Sequence, residues 1–214
     1  FREFRPLPCY SLHMRIIIGH SNMDADCLGS IVLASYLYPD AVRIRSSRMH
    51  PVAHQLYALY EDRLNFVTMA DLPDGPLDEC IVVDTHASSQ IREYFDRNPR
   101  HPASWHCIDH HQHVSAPVEG TIHLRHYGAN CSVLCELLMA AGIRVGADDA
   151  TMALAGIFAD TGSFTHDGVC AEDFAAARYL IECGANVRMV RKFLHRMPDE
   201  HHVQMFHDAL ASMT

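Results

Sequence analysis

Short apolar runs, rich in β-branched residues, alternate with longer amphipathic segments through the first half of the chain. The apolar runs predict buried strands at 14–20, 41–46, 65–69, 80–85 and 104–111. The segments between them predict helices at 25–38, 50–63 and 88–97. Strands that alternate with helices favour an α/β fold with a Rossmann-like parallel sheet of about five strands and helices on both faces.

The second half of the chain has mostly helical spacing. It predicts helices at 129–141, 148–159, 171–183 and 187–195, and a last one at 199–212. A length of 214 residues is typical of a single domain. We therefore expect one domain over 1–214, with its core between residues 15 and 195.

Composition narrows the classes of function. The net charge of −9 argues against binding nucleic acid by bulk charge alone. No apolar run approaches the ~18 residues of a membrane span, so we expect no membrane partner. The eight cysteines include no CxxC pair and several lie in apolar runs, which indicates reduced cysteines and a cytoplasmic protein.

Acidic and histidine residues follow the predicted strands where each one ends. Carboxyl ends of parallel strands share one edge of a sheet, and ligands bind in the crevice there. The end of an apolar helix adds one further aspartate. Together these positions offer six candidate ligands, which are His20, Asp24, Asp26, Asp84, His110 and Asp160.

Such a cluster indicates bound metal. Carboxylates buried close together repel one another unless cations lie between them. Mixed carboxylate and imidazole ligands suit Mn²⁺, with Mg²⁺, Fe²⁺ or Co²⁺ as alternatives. Six ligands are too many for one such ion with open positions but suit two ions that share a carboxylate, clamp a phosphate and activate water. Taken singly, each motif also fits a helix cap or a surface loop; their joint occurrence favours the metal site.

Four segments resemble the motifs of the DHH phosphoesterases, in the same order and spacing. They are "GHSNMDADCLGS" at 19–30, "VVDT" at 82–85, "DHH" at 109–111 and "GIFADTGSF" at 156–164. Residues 160–194 look most like the version fused to poly(A) polymerase or tRNA nucleotidyltransferase-like proteins, or like an oligoribonuclease. The resemblance identifies the chain as the N-terminal catalytic domain of that family.

The resemblance implies a role for each matching residue. One metal would be held by His20, Asp24 and Asp84, and the other by Asp26, Asp84, His110 and Asp160, with Asp84 as the bridge. His111 would donate to the substrate phosphate, and Asp109 would orient a histidine from behind. Ser30 and Arg125 would bear on the substrate, together with His126 and the turn at 127–130.

The function implied is hydrolysis of phosphodiester or phosphomonoester bonds in a nucleotide or short oligonucleotide by a two-metal mechanism. Many relatives grip substrate with a C-terminal domain containing a GG motif. No GG occurs in this chain, so we expect that domain to be absent here and further domains of the same polypeptide, or a homodimer, to be the partners. Two alternatives stay open: a nucleotide-sensing module without turnover, and a manganese pyrophosphatase. A pyrophosphatase is disfavoured because Lys192 is the only lysine.

Overall fold

A parallel β-sheet forms the centre of the computed structural model, which describes residues 14–96 and 100–194. The strands, in chain order, are β1 Arg15–Ile18, β2 Asn22–Met23, β3 Val42–Arg43, β4 Arg48–Met49, β5 Glu79–Val83, β6 Ser104–Asp109 and β7 Thr121–Leu124. Five of them form one sheet in the order β3-β1-β5-β6-β7, with all neighbours parallel, whereas β2 and β4 pair separately. The carboxyl ends of the main strands therefore share one edge.

Helices cover both faces of this sheet, as predicted. They are α1 Ala25–Leu37, α2 Pro51–Leu64, α3 Ser88–Asp96, α4 Asn130–Ala140, α5 Ala147–Asp160, α6 Ala171–Glu182 and α7 Val187–Leu194. Successive strand side chains point to opposite faces. Ile17 therefore packs in the cluster with α1, α4 and α5, while Ile16 and Ile18 pack in the other cluster with α3.

Helix α1 lies deepest, with residues 25 to 34 all buried. It packs closely against α5, and two glycines permit the approach. A Cβ on Gly156 would lie 2.8 Å from the Cα of Asp26, and one on Gly29 would lie 3.0 Å from the Cα of Ala153. This contact sets the distance between the N-terminus of α1 and the C-terminus of α5.

The predicted strand at 65–69 is wrong. Asn65 has a left-handed backbone with φ 48°, and a 3-10 turn begins at Met69, so the short stretch between them makes only an isolated bridge through Val67. The fifth strand of the sheet is instead β7, an edge strand with exposed and half-buried residues. The predicted helix at 199–212 lies outside the described residues.

The described cysteines form no disulfides, and the described helices are too short or too polar to span a membrane. Every cysteine in the described residues is free, as expected for reduced thiols. Among the helices of residues 14–96 and 100–194, none has the length and apolar character needed to cross a membrane.

Candidate metal centre

The first group of polar side chains lies between β1 and β5, where the direction in which the chain adds strands to the sheet reverses. β1 and β5 are neighbours, but the chain continues to β3 on one side and to β6 on the other, and crevices at such points bind ligands. His20 follows β1 and Asp84 follows β5, and Nε2 of His20 is 3.3 Å from Oδ2 of Asp84. Asp24 caps α1 by accepting from the Cys27 amide, and its Oδ2 is 3.5 Å from the same His20 nitrogen.

His110, at the end of β6, forms the second group. Its Nε2 is 3.4 Å from Oδ1 of Asp84 and 3.4 Å from Oδ2 of Asp160. Ligand atoms of Asp26, His110 and Asp160 all lie within 4.8 Å of one another. Asp84 thus turns one carboxylate oxygen toward His20 and the other toward His110, and it connects the two groups.

Asp84 has a backbone that few non-glycine residues adopt, with φ 60°. Asn130, buried at the start of α4, stabilises it. In the amide orientation that satisfies its neighbours, Oδ1 of Asn130 accepts from the Asp84 amide and from Ser30, both at 3.0 Å, and Nδ2 donates to the Ile108 carbonyl at 3.1 Å. Asn130 therefore connects the ends of β5 and β6 to α1.

Asp26 is buried against the N-terminus of α4. Its two carboxylate oxygens accept from the backbone amides of Asn130 at 2.6 Å and Cys131 at 3.0 Å. Burial raises the pKa of Asp26 well above its ordinary value, and the charges of Asp84 and Asp160 raise it further. The amides fix the position of this carboxylate, while the crowding of like charges favours a cation beside it.

His110 also lies in an excess of negative charge. Burial opposes a charge on His110, but the nearby carboxylates of Asp84 and Asp26 raise its pKa to about 10. Nδ1 of His110 donates to the Tyr127 carbonyl at 3.0 Å, which leaves Nε2 buried without a hydrogen-bond partner in the described residues. An orphaned nitrogen facing two carboxylates is the arrangement that a divalent cation satisfies.

Asp109 lies behind the cluster and is fully buried. Its Oδ1 accepts from Nδ1 of His111 at 2.8 Å, and its Oδ2 accepts from Nδ1 of His86 at 2.5 Å. Burial would raise the pKa of Asp109, but the hydrogen bonds from His111 and His86 bring it below its ordinary value. Asp109 is therefore an ionised carboxylate between two imidazoles.

The two residues predicted to contact substrate lie in different surroundings. Ser30 is buried and its hydroxyl bonds to Asn130. Arg125 is exposed, with Nε 3.4 Å from Oε2 of Glu136. Both substrate contacts stay predictions.

Sequence reasoning missed His86, and it named Asn130 only as part of the turn at 127–130. His86 lies two positions after Asp84 in the segment "DTHASS", where it reads as one more polar residue of a loop. Its partner is 23 positions away. No local signal indicates that contact.

Relatives of known sequence resemble nearly the whole chain. An A-adding tRNA nucleotidyltransferase of Geobacter sulfurreducens is 32% identical over 202 residues, which cover 94% of this chain and 23% of the relative. A protein of the same name from Aquifex aeolicus is 29% identical, covering 83% of this chain and 20% of the relative. The chain thus spans less than a quarter of the length of these curated relatives.

Solved structures share the fold. An exopolyphosphatase-related protein from Bacteroides fragilis superposes with a TM-score of 0.69 at 18% identity, over 92% of this chain and 61% of that one. A candidate family II inorganic pyrophosphatase from Methanococcus jannaschii superposes with a TM-score of 0.61 at 23% identity, over 85% of this chain and 60% of that one.

A parallel α/β sheet with a cluster of aspartates and histidines at its carboxyl edge defines the class, which is an α/β protein with candidate ligands for divalent cations at that edge. The sequence identifies the family within that class. The signature of the DHH family, N-terminal domain, matches residues 15–159, which is more than half of the chain. The chain belongs to the DHH family, as the four motifs predicted, and its relatives include the tRNA nucleotidyltransferase type.

Proposed function

We propose that the chain hydrolyses phosphodiester or phosphomonoester bonds of a nucleotide or short oligonucleotide with the help of two divalent cations. The position of Asp84 carries this proposal, because its two carboxylate oxygens lie 3.3 Å from His20 and 3.4 Å from His110. A carboxylate shared by two imidazoles, with further carboxylates around each, suits two cations with one common ligand.

The donor set fits Mn²⁺ first, with Mg²⁺, Fe²⁺ or Co²⁺ as alternatives, because it combines imidazole and carboxylate ligands. One cation would be held by His20, Asp24 and Asp84, and the other by Asp26, Asp84, His110 and Asp160. When bound, such cations lower the pKa of water and neutralise negative charge on a phosphoryl group.

His111 would supply the protein's own positive charge. The hydrogen bond to Asp109 raises the pKa of His111, so its imidazolium form persists to higher pH. Because Nδ1 donates to Asp109, Nε2 is the atom left to donate to a phosphoryl oxygen, where it would stabilise charge in the transition state. Asp109 would keep the ring in that orientation.

The relatives support a nucleotide-bearing substrate. Both are named A-adding tRNA nucleotidyltransferases, and the chain matches less than a quarter of each. We propose that the chain works as one domain of a larger polypeptide that handles RNA ends. Further domains of that polypeptide would then contribute to substrate binding.

The test is a comparison of Asp84→Ala with Asp96→Ala, which removes an exposed carboxylate on α3. Mn²⁺-dependent hydrolysis of bis(p-nitrophenyl) phosphate, a short oligoribonucleotide and pyrophosphate would be measured, together with Mn²⁺ binding by calorimetry. We expect Asp84→Ala to abolish hydrolysis and to bind fewer than two Mn²⁺ ions per chain. Asp96→Ala should match the wild type.

Each alternative has its own outcome. Hydrolysis at the wild-type rate by Asp84→Ala would rule out the proposed site. Tight binding of nucleotides by the wild type without turnover of any substrate would indicate the sensing module. Turnover of pyrophosphate in strong preference to both esters would indicate a pyrophosphatase.

A further inference from the structure

His86 is a buried histidine that is not among the proposed metal ligands. It is only 7% exposed, and its Nδ1 donates to Oδ2 of Asp109 at 2.5 Å. We propose that His86 is a positioning residue, which holds the Asp109 carboxylate in the one rotation that presents His111 to the substrate phosphate. This inference rests on the proposed phosphoesterase function.

The hydrogen bonds of Asp109 are divided unevenly between its two oxygens. Oδ1 accepts from the ring of His111 and from the backbone amides of His110 and His111, all within its own turn. Oδ2 accepts from His86, which comes from the loop after β5. The rotation of a carboxylate about its last torsion is soft. A partner from a different element, on the second oxygen, is what restricts it.

His111 depends on that restriction. Its side chain is 48% exposed, and Asp109 is the only hydrogen-bond partner of its ring within residues 14–96 and 100–194. The ring also lies against that of His110, with centroids 4.4 Å apart, but only the hydrogen bond to Asp109 fixes which ring nitrogen faces the substrate. If the carboxylate turns, the Nε2 atom of His111 turns with it.

The backbone around His86 is itself fixed. The His86 carbonyl accepts from the Val118 amide at 2.8 Å, and the Ser88 amide donates to the Ala116 carbonyl at 3.0 Å. Ala87 also forms an antiparallel bridge with Pro117. The loop that carries His86 is thus joined on both sides to the segment between β6 and β7, so His86 can serve as a rigid reference for Asp109.

The test is a double-mutant cycle between His86 and His111 in this chain. His86→Leu removes the donor, and His86→Asn keeps an amide donor near the position of Nδ1. With bis(p-nitrophenyl) phosphate and Mn²⁺, we expect His86→Leu to lower kcat about ten- to a hundredfold, as loss of an orienting partner does. KM and the Mn²⁺ affinity should change less than about twofold, because uniform binding is untouched. His86→Asn should recover most of kcat.

The decisive comparison is made in the His111→Ala background. A residue that acts through His111 has no further effect once His111 is gone, so His86→Leu should leave the already reduced kcat unchanged. The control is His106→Leu, which removes a histidine on β6 that is hydrogen-bonded to Tyr38. It should change kcat by the same factor in the wild type and in His111→Ala. Additive effects of His86→Leu, or an unchanged kcat in the single variant, would overturn the proposal.

A second measurement does not depend on turnover. Nitrogen-15 NMR of the imidazoles in the Mg²⁺-loaded chain reports whether Nδ1 of His111 keeps its hydrogen-bonded proton. That proton signal should persist in wild type and His86→Asn and be lost or broadened in folded His86→Leu; its persistence in His86→Leu would contradict the positioning role. A wild type without any hydrolysis would refute the proposed function, whereas the NMR result would still decide the role of His86.

Discussion

Gly156→Ala tests whether the close packing of α1 on α5 places a metal ligand. The new Cβ would lie 2.8 Å from the Cα of Asp26, 3.0 Å from the carbonyl oxygen of Ala25 and 3.0 Å from Oδ1 of Asp26. Two of these contacts are with backbone atoms in the buried part of α1, which cannot rotate away. One helix must move relative to the other, and the distance between Asp26 on α1 and Asp160 on α5 changes with it.

Two opposing effects determine how Gly156→Ala changes the free energy of unfolding. Alanine favours a helix interior over glycine by about 1 kcal/mol. Inserting a methyl group into a packed core costs about 1–3 kcal/mol. The net effect is a decrease in the free energy of unfolding of about 0–2 kcal/mol, which lowers Tm by up to about 8 °C for a chain of this size.

Metal binding should respond more than stability does. Because Oδ1 of Asp26 is one of the crowded atoms, we expect Mn²⁺ affinity to fall about tenfold or more, the range seen when a ligand loses its support. Urea unfolding without metal and Mn²⁺ calorimetry measure the two effects separately. The matched control is Gly168→Ala, whose Cβ would meet nothing within 4 Å, so its stability should stay within about 0.5 kcal/mol of wild type.

The refuting result is specific. A Gly156→Ala variant that is more stable than wild type and binds Mn²⁺ with unchanged affinity would show that helix propensity dominates. In that case the α1–α5 contact can accommodate a methyl group, and only the amides of α4 determine the position of Asp26.

Two further predictions concern the support and the charge of the site. Asn130→Ala should cost about 1–3 kcal/mol and weaken Mn²⁺ binding, because the Asp84 amide then keeps only its bond to the Ile108 carbonyl, and that carbonyl loses the buried donor Nδ2. Ser132→Ala, two positions along the same helix, removes a buried hydroxyl without a hydrogen-bond partner in the described residues and should be neutral or stabilising in the same unfolding assay; equal losses for both variants would contradict the assigned contact. In metal-free protein, burial and then the charge of Asp84 raise the pKa of Asp160 from 3.8 to about 6. A raised carboxyl pKa favours the protonated form in the fold, so stability relative to Asp160→Asn should fall as pH rises from about 4 through about 6. Thermal unfolding in EDTA across that range measures it, and Mn²⁺ at neutral pH should restore the loss; a difference between the two proteins that does not vary with pH would refute the assignment.

The strands predicted best are the ones buried on both faces. β1, β5 and β6 lie inside the sheet, so their apolar runs are continuous and visible in the sequence. β7 lies at the edge and is half exposed, so its pattern is weak. Residues 65–69 look like a strand, but the left-handed Asn65 and the turn at Met69 leave no room for one.

The site divides in the same way. The aspartates and histidines at strand ends were predictable because a parallel sheet brings all carboxyl ends to one edge. The residues that hold them were not. Asn130 reaches Asp84 from a helix far along the chain, and His86 reaches Asp109 from the loop after β5.

The sequence by itself determined the parallel α/β fold, the family and the set of candidate ligands, because hydrophobic period and motif order are local properties of a chain. Only the tertiary structure decided that Asp84 faces His20 with one oxygen and His110 with the other. It alone decided that Asp109 lies between His86 and His111. Such contacts depend on the direction of each side chain across different elements, and those directions are set by packing, as at Gly156, where the absence of a Cβ lets two helices meet.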